Sequence, residues 1–231
     1  MDLLDAITAR KSIRAFRPEP VPQSVLQALL QLAIRAPSSM NTQPWEFFVV
    51  SGEPLARLKT QSLARLAAGE APRPEHSVTG WPRQSVFRER QVALARDDSI
   101  FELPPCKIRA RETTKSALKW PGRAVSPFDA PTAIIVCTDG QLTPAGPLID
   151  IGAVVQTLCL AALAFDLGTC IEDQGVAYPE IVRAAAGIPA DKRIVTAVAV
   201  GYPDWEFPAN RLASARDPVA AVTRWCGFDQ D

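Results

Sequence analysis

Ala36-Pro37-Ser38-Ser39-Met40-Asn41-Thr42-Gln43-Pro44-Trp45-Glu46-Phe47-Phe48-Val49-Val50 reads as a helix end, a polar loop and a buried strand. Upstream, Val25, Leu26, Leu29, Leu30, Leu32 and Ala33 recur at helical spacing and predict a helix over 22–35. Pro37 stops it, because the residue before a proline is pushed out of helical geometry. The apolar, β-favouring run after Pro44 predicts a strand over 45–51. Between them, Ser38, Ser39, Asn41 and Gln43 offer donors and acceptors that suit a planar heterocycle with both kinds of polar edge. An ordinary polar connection would have the same composition.

Arg10-Lys11-Ser12-Ile13-Arg14 lies one helix earlier. In an extended segment Arg10, Ser12 and Arg14 share a face, with Lys11 pointing away or reaching around. Guanidinium groups donate paired, charge-assisted hydrogen bonds in a fixed fork, and a hydroxyl adds a small neutral donor, so the segment suits a phosphate. A solvated basic turn after an N-terminal helix is the other reading.

Together, Arg10-x-Ser12-x-Arg14-x-Phe16 and Ala36-Pro37-Ser38-Ser39-x-Asn41-x-Gln43-Pro44-Trp45-x-Phe47 resemble the FMN-dependent nitroreductase family. The likeness continues at Ala130-Pro131, Leu167-Gly168-Thr169-Cys170, Gly201-Tyr202-Pro203 and Asn210-Arg211-x-x-Ser214-x-Arg216-x-Pro218, and is poor over 60–125. The resemblance implies an α/β (α+β) fold with a central, mainly antiparallel sheet flanked by helices. It also implies an intertwined homodimer built around a long central helix, with two flavins at the subunit interface.

Carried over position by position, it puts Arg10, Lys11, Ser12 and Arg14 at the FMN phosphate, with Arg216 and, more weakly, Arg211. Arg211 could equally form a surface salt bridge, and Ser214 stands where some relatives have lysine. Pro37, Ser38, Ser39, Asn41 and Gln43 would frame the ring. In the segment Cys170-Ile171-Glu172-Asp173, a main-chain N–H from Glu172 or its neighbour Asp173 would approach the reactive flavin nitrogen. Asp173 departs from the glycine many relatives carry. The implied activity is a ping-pong cycle, in which NADPH or NADH reduces FMN and a nitroaromatic, quinone or similar electrophile then takes two electrons in the same pocket. A flavin-dependent dehydrogenase, a flavin-cleaving synthase and a non-enzymatic flavin carrier or sensor are the alternatives.

Composition narrows the classes further. The 231 residues carry 25 basic and 25 acidic side chains and 47% hydrophobic residues. That is enough to bury a core as one domain, 1–231, and the zero formal charge argues against a general nucleic-acid binder. Cys106, Cys137, Cys159, Cys170 and Cys226 are odd in number and lack metal-knuckle spacing, so a reducing cytoplasm is expected, with neither a disulfide framework nor a metal site. Met1-Asp2-Leu3-Leu4-Asp5 lacks the basic start and apolar run of a signal peptide.

None of the twelve glycines stand two apart, so no G-x-G-x-x-G fingerprint exists, and the phosphate loop ending G-K-[ST] is absent as well. His76 is the sole histidine, in Pro74-Glu75-His76, and no G-x-S-x-G elbow accompanies it. A cofactor that performs the difficult electronic step removes the need for a catalytic side-chain constellation.

The remaining layout is predicted as helices at 2–9, 53–67, 84–96, 146–166 and 178–186, with strands at 132–138, 169–173 and 194–201. The run Ile151–Phe165 is shorter than the ~20 residues of a membrane span and nearly apolar all round. It is expected to be a helix enclosed on every side, either by the molecule's own sheet or by a second subunit. Residues 60–125 are the expected substrate lid. They hold Trp81, Phe87, Phe101 and Trp120 among Arg83, Arg88, Arg90, Arg109, Arg111 and Arg123. Those side chains could cover a planar, acidic acceptor or pack locally.

Overall fold

Among the described residues four antiparallel strands form one sheet, in the order β1 (Glu46–Ser51), β2 (Thr132–Asp139), β4 (Lys192–Gly201), β3 (Gly168–Glu172). The computed structural model describes residues 2–76, 82–95 and 119–228. In chain order the main elements are α1 (Leu3–Ala9), α2 (Gln23–Ala33), β1 (Glu46–Ser51), α3 (Gly52–Ala67), α4 (Val86–Ala95) and α5 (Lys119–Val125). They continue with β2 (Thr132–Asp139), α6 (Leu148–Ala162), β3 (Gly168–Glu172), α7 (Pro179–Ala186), β4 (Lys192–Gly201) and the single turn α8 (Val219–Val222).

Both faces of the sheet are covered, and the strands β2 and β4 show it by being buried along almost their whole length. Ile134 and Val136 of β2 join Leu26 and Leu29 of α2 and Val154, Val155 and Leu158 of α6 in one core. Ala133, Ile135 and Cys137 point the other way, to Leu55 and Leu58 of α3 and Ile181 and Val182 of α7. The β2–β4 register slips between Val136 and Cys137, so that Thr196 and Ile194 face those two residues and Val195 is the extra one. The bulge shifts the phase of β4, so that Val195 and Val198, three positions apart, enter the same core while Ile194 and Ala197 enter the other.

β3 pairs with β4 only as far as Glu172 with Ala197, so the start of β4 has an open edge there. Glu75 covers part of it: its Oε2 accepts the Ile194 N–H at 2.7 Å, and its Oε1 meets Arg183 Nη2 at 2.6 Å. With the Arg73 N–H on Ala177 O and the Tyr178 hydroxyl on Glu70 O, this pins 70–75 against α7.

The chain itself covers the central helix on one side. Its stripe Ile151, Val154, Val155, Leu158, Cys159 and Ala162 is buried, but Ile149 is 84% exposed, and Gly152 and Gln156 are also open. Ala153, Thr157 and Leu160 continue that second face half-covered. The chain's own sheet and α2 therefore enclose one side only. The 18 residues Leu148–Phe165 are long and apolar enough to cross a membrane by length and composition, and here they form the inner layer beside α2.

Candidate functional site

The segment Arg10–Arg14 runs beside β3 as a short parallel addition to the sheet. Ser12 bridges Thr169, and the Ile13 N–H donates to Thr169 O at 2.9 Å. This close approach requires Gly168, where a Cβ would stand 2.5 Å from Ile13 Cγ1 and 2.9 Å from Pro203 Cγ. Beyond it the Arg14 N–H donates to Asn210 Oδ1 at 2.7 Å, and Asn210 Nδ2 donates to Ala15 O and Asp204 O at 2.8 and 2.7 Å. The Arg123 guanidinium adds a bond to Arg14 O at 3.1 Å while pairing with Asp129 and lying over Phe207. Ile13 is buried under this frame, whereas Arg10, Lys11, Ser12 and Arg14 keep partly open side chains. The frame thus presents a cationic, hydroxyl-bearing edge on a fixed backbone.

Along β3 the side chains alternate. Ile171 is 46% exposed, while Cys170 and Glu172 turn inward to the layer of Ile13, Phe16, Phe128 and Ala199. Cys170 therefore offers its main chain, with its thiol in the core. Burial pushes the Glu172 carboxyl well above the usual range, opposed by Lys59 and Arg14 and reinforced by Asp129. Glu172 is 4% exposed, and neither of its oxygens has a hydrogen-bond partner among the described residues. Lys59, itself lowered by burial, donates to Ala130 O at 2.8 Å. Asp173 accepts from the Thr196 hydroxyl at 3.1 Å.

The polar loop is a second, separate construction. Met40, Asn41 and Gln43 all have positive φ (49°, 59° and 47°), the left-handed region that non-glycine residues enter at a cost. Such strain persists where the surroundings over-determine it. Here the Gln43 N–H donates to Ser38 Oγ at 2.9 Å, Gln43 Nε2 donates to Asn41 O at 3.1 Å, and the Ser39 N–H donates to Asp150 Oδ1 at 3.2 Å. Pro37, Ser39, Asn41 and Gln43 are exposed and Ser38 is half-buried, so the turn is preformed with its polar side outward.

These two constructions sit at opposite ends of α6. The loop is tied to Asp150 in its first turn, while Arg10 lies close enough to Cys159, near its last turn, to act on that thiol. Nine residues of helix separate those anchors, about 14 Å along the axis. α2 runs back between them, antiparallel to α6.

The C-terminal arginines occupy a third place. Arg211 is exposed and turns to Trp205 O and Glu206, in the surface arrangement that its sequence also allowed. Arg216 is exposed and bonds Ser214 O, Ser214 Oγ and Ala215 O. It lines a cavity of about 870 Å³ with Phe87, Arg90 and Leu94 of α4 and with Asp217, which ion-pairs with Arg90. Of the expected lid residues, Trp81, Phe101, Arg109, Arg111 and the side chain of Trp120 lie outside the described residues. Among the described residues no cluster of three or more metal-ligating side chains forms.

Residues 7–202 match the sequence profile of the Nitroreductase family. The chain belongs to the nitroreductase family. Over 239 residues it is 30% identical to a 4-nitrobenzoate reductase of Nocardioides sp. (strain LMS-CY), covering 100% of this chain and 93% of that one. Its fold is similar to that of the FMN and NADPH-dependent nitroreductase NfnB of Sphingopyxis sp. strain HMH (TM-score 0.87, 25% identity, 99% and 100% of the two chains). It is also similar to the FMN-dependent nitroreductase NfnB of Mycobacterium smegmatis, solved in complex with NADPH (TM-score 0.84, 26% identity, 96% and 97%).

Within this nitroreductase fold, sequence reasoning missed the roles of three supporting residues, although Asn210 stands in the C-terminal motif it quoted. Asn210 is wholly buried and holds the Arg14 main chain across 196 positions, Asp150 holds the loop, and Lys59 stands behind Glu172. No local pattern announces them, because each acts on a residue far away in the chain.

Proposed function

We propose that this nitroreductase-family chain is an FMN-dependent oxidoreductase that takes hydride from NADPH or NADH and delivers two electrons to a nitroaromatic, quinone or similar acceptor. One observation carries the reading: a rigidly framed edge bearing Arg10, Ser12 and Arg14 coexists with a preformed polar turn, and the two match the tail and head of FMN. The donor set fits the group. Guanidiniums and a hydroxyl suit a phosphate, and amide and hydroxyl side chains suit a heterocycle edge.

When bound, FMN supplies the hydride and electron chemistry. The chain's own part is to hold and orient. Arg10, Lys11, Ser12 and Arg14 would clasp the phosphate, and Arg216 and Arg211 would join them on leaving the partners they hold here, Ser214 and Ala215 for Arg216 and Trp205 and Glu206 for Arg211. Pro37, Ser38, Ser39, Asn41 and Gln43 frame the ring. The main chain of Cys170, Ile171, Glu172 and Asp173 would line the ring, and an N–H of Glu172 or Asp173 would supply a donor where charge develops.

The active form is a homodimer. Two halves at opposite ends of one helix meet when a second copy lays its α6 antiparallel on the uncovered stripe through Ile149, Gly152 and Gln156, which brings the loop of one subunit to the Arg10–Arg14 edge of the other. That stripe is apolar apart from Gln156 and Thr157, as a subunit interface requires. The 60–125 region, with α4 tied to the C-terminal arm through Arg90 and Asp217, is the acceptor lid. Its single domain and a cytoplasmic setting complete the reading.

The double substitution Arg10→Ala with Arg216→Ala tests the assignment, and largely colourless apoprotein is the expected result. Anaerobic mixing of the wild-type protein with NADPH or NADH should bleach the yellow colour rapidly. Full flavin occupancy in the double variant would overturn the phosphate grip, and a flavin that stays yellow would overturn the reductase.

A further inference from the structure

We infer that Glu172 is a proton-linked positioning residue of the cofactor site, acting through Arg14: with an anion on Arg14 its side chain is fixed as the neutral acid, and without one its carboxylate competes for that guanidinium. The inference rests on the reading of Arg14 as part of the phosphate grip.

A carboxyl with both oxygens sealed from solvent and no hydrogen-bond partner is rare in folded proteins and calls for an explanation. The charged groups around it come from three elements: Lys59 on α3, Arg14 on the added edge strand, and Asp129 on the turn Pro127–Asp129. Cys170, on the same face of β3, feels both Glu172 and Arg14. Lys59 already donates to Ala130 O, and Asp129 is held by Arg123 at 3.2 Å. Arg14 is different, because its backbone is locked by Asn210 while, among the described residues, its guanidinium makes one hydrogen bond, to Ser12 O at 3.2 Å. Its side chain is partly open at the edge and its charge acts on the buried carboxyl.

The electrostatic consequence has a definite sign. Burial favours the neutral acid, and the Arg14 charge favours the carboxylate. A phosphate dianion on Arg14 cancels that pull and adds repulsion, so the acid form gains and a proton is taken up from solvent. Binding should then weaken as pH rises through the window in which the free protein loses that proton and the complex keeps it.

Proton uptake on cofactor binding tests this without reference to turnover. Apoprotein is titrated calorimetrically with FMN in buffers of differing ionisation enthalpy, for wild type, Glu172→Gln and Glu172→Asp, with riboflavin as the ligand lacking phosphate. The phosphate's own titration is common to all three proteins and cancels in the comparison. Wild type is expected to take up more protons than Glu172→Gln, by at most about one per site. Glu172→Asp should keep part of the difference, and riboflavin should remove it.

Infrared difference spectra of the wild-type protein give a second reading that needs no variant: a carboxylic-acid C=O band should grow on adding FMN and not on adding riboflavin. Equal proton counts in wild type and Glu172→Gln, or no such band, would overturn the inference. An Arg14→Ala protein that binds FMN as tightly as wild type would instead overturn the phosphate reading on which it rests.

Discussion

Asn210 Oδ1 accepts the main-chain N–H of Arg14 at 2.7 Å across 196 residues of sequence, and the same side chain donates to Ala15 O and Asp204 O. One amide thereby fixes the backbone that carries Arg14. Asn210→Ala leaves the Arg14 N–H unpaired and takes one of two donors from each of Ala15 O and Asp204 O, which keep the Asp204 and Phe207 N–H groups, and should cost about 2 kcal/mol of stability. FMN affinity should fall with it, although no group on the cofactor is removed. Denaturant unfolding and flavin titration of the variant measure the two losses.

Gly168 sets how closely Ile13 can approach β3. With a Cβ placed 2.5 Å from Ile13 Cγ1, Gly168→Ala forces Arg10–Arg14 off the strand and should cost about 1–3 kcal/mol. Flavin retention should drop as well. Adding Ile13→Ala removes the closer of the two clashing carbons and leaves Pro203 Cγ at 2.9 Å, so the double variant should be only partly relieved, yet less impaired than additivity of the two single changes allows.

Glu172 also carries a pH signature in folding. Its folded-state carboxyl is raised above the unfolded one, chiefly by burial, so its favourable contribution is fully present below the ordinary carboxylate range. That contribution is lost as pH rises through the folded value. Glu172→Gln does not titrate, and its stability relative to wild type should therefore climb with pH by up to about 1.4 kcal/mol per unit across that window, then level off. Unfolding curves over a pH series check the slope.

The thiols divide by depth. Burial pushes Cys137 and Cys170 up to about 12 and raises Cys159 also, so near neutral pH all three stay protonated and covered. Cys226 is exposed. Alkylation of the native protein followed by peptide mapping should modify Cys226 readily and leave Cys137, Cys159 and Cys170 intact until the chain unfolds.

Much of the fold was written in local pattern. The helical spacing from Val25 to Ala33, the stop at Pro37 and the apolar run after Pro44 placed α2 and β1 within about two residues, and the other strands fell where β-favouring runs predicted them. The central helix was legible as an element but its surroundings were not. An apolar helix declares that it must be covered, and which of its faces the chain itself covers depends on tertiary packing that the helix's own sequence does not specify.

For the site, residue types and spacing singled out Arg10 to Arg14 and the loop, because phosphate and heterocycle chemistry restricts which side chains serve. The positive φ angles at Met40 and Gln43, the hold of Asn210 on Arg14, and the isolation of Glu172 depend on long-range packing that no window of sequence contains.

The central claim is that each cofactor site joins the Arg10–Arg14 edge of one subunit to the Ser38–Gln43 loop of another. Co-expression of a chain carrying Arg10→Ala and Arg14→Ala with a chain carrying Ser39→Ala and Asn41→Ala, using two purification tags, isolates the mixed dimer. In a shared site one pocket gathers all the substitutions and the other gathers none, so the mixed dimer should bind one FMN with wild-type affinity while both parent dimers bind poorly. A mixed dimer without any tight FMN site would contradict the account, because it would mean that both halves come from the same chain.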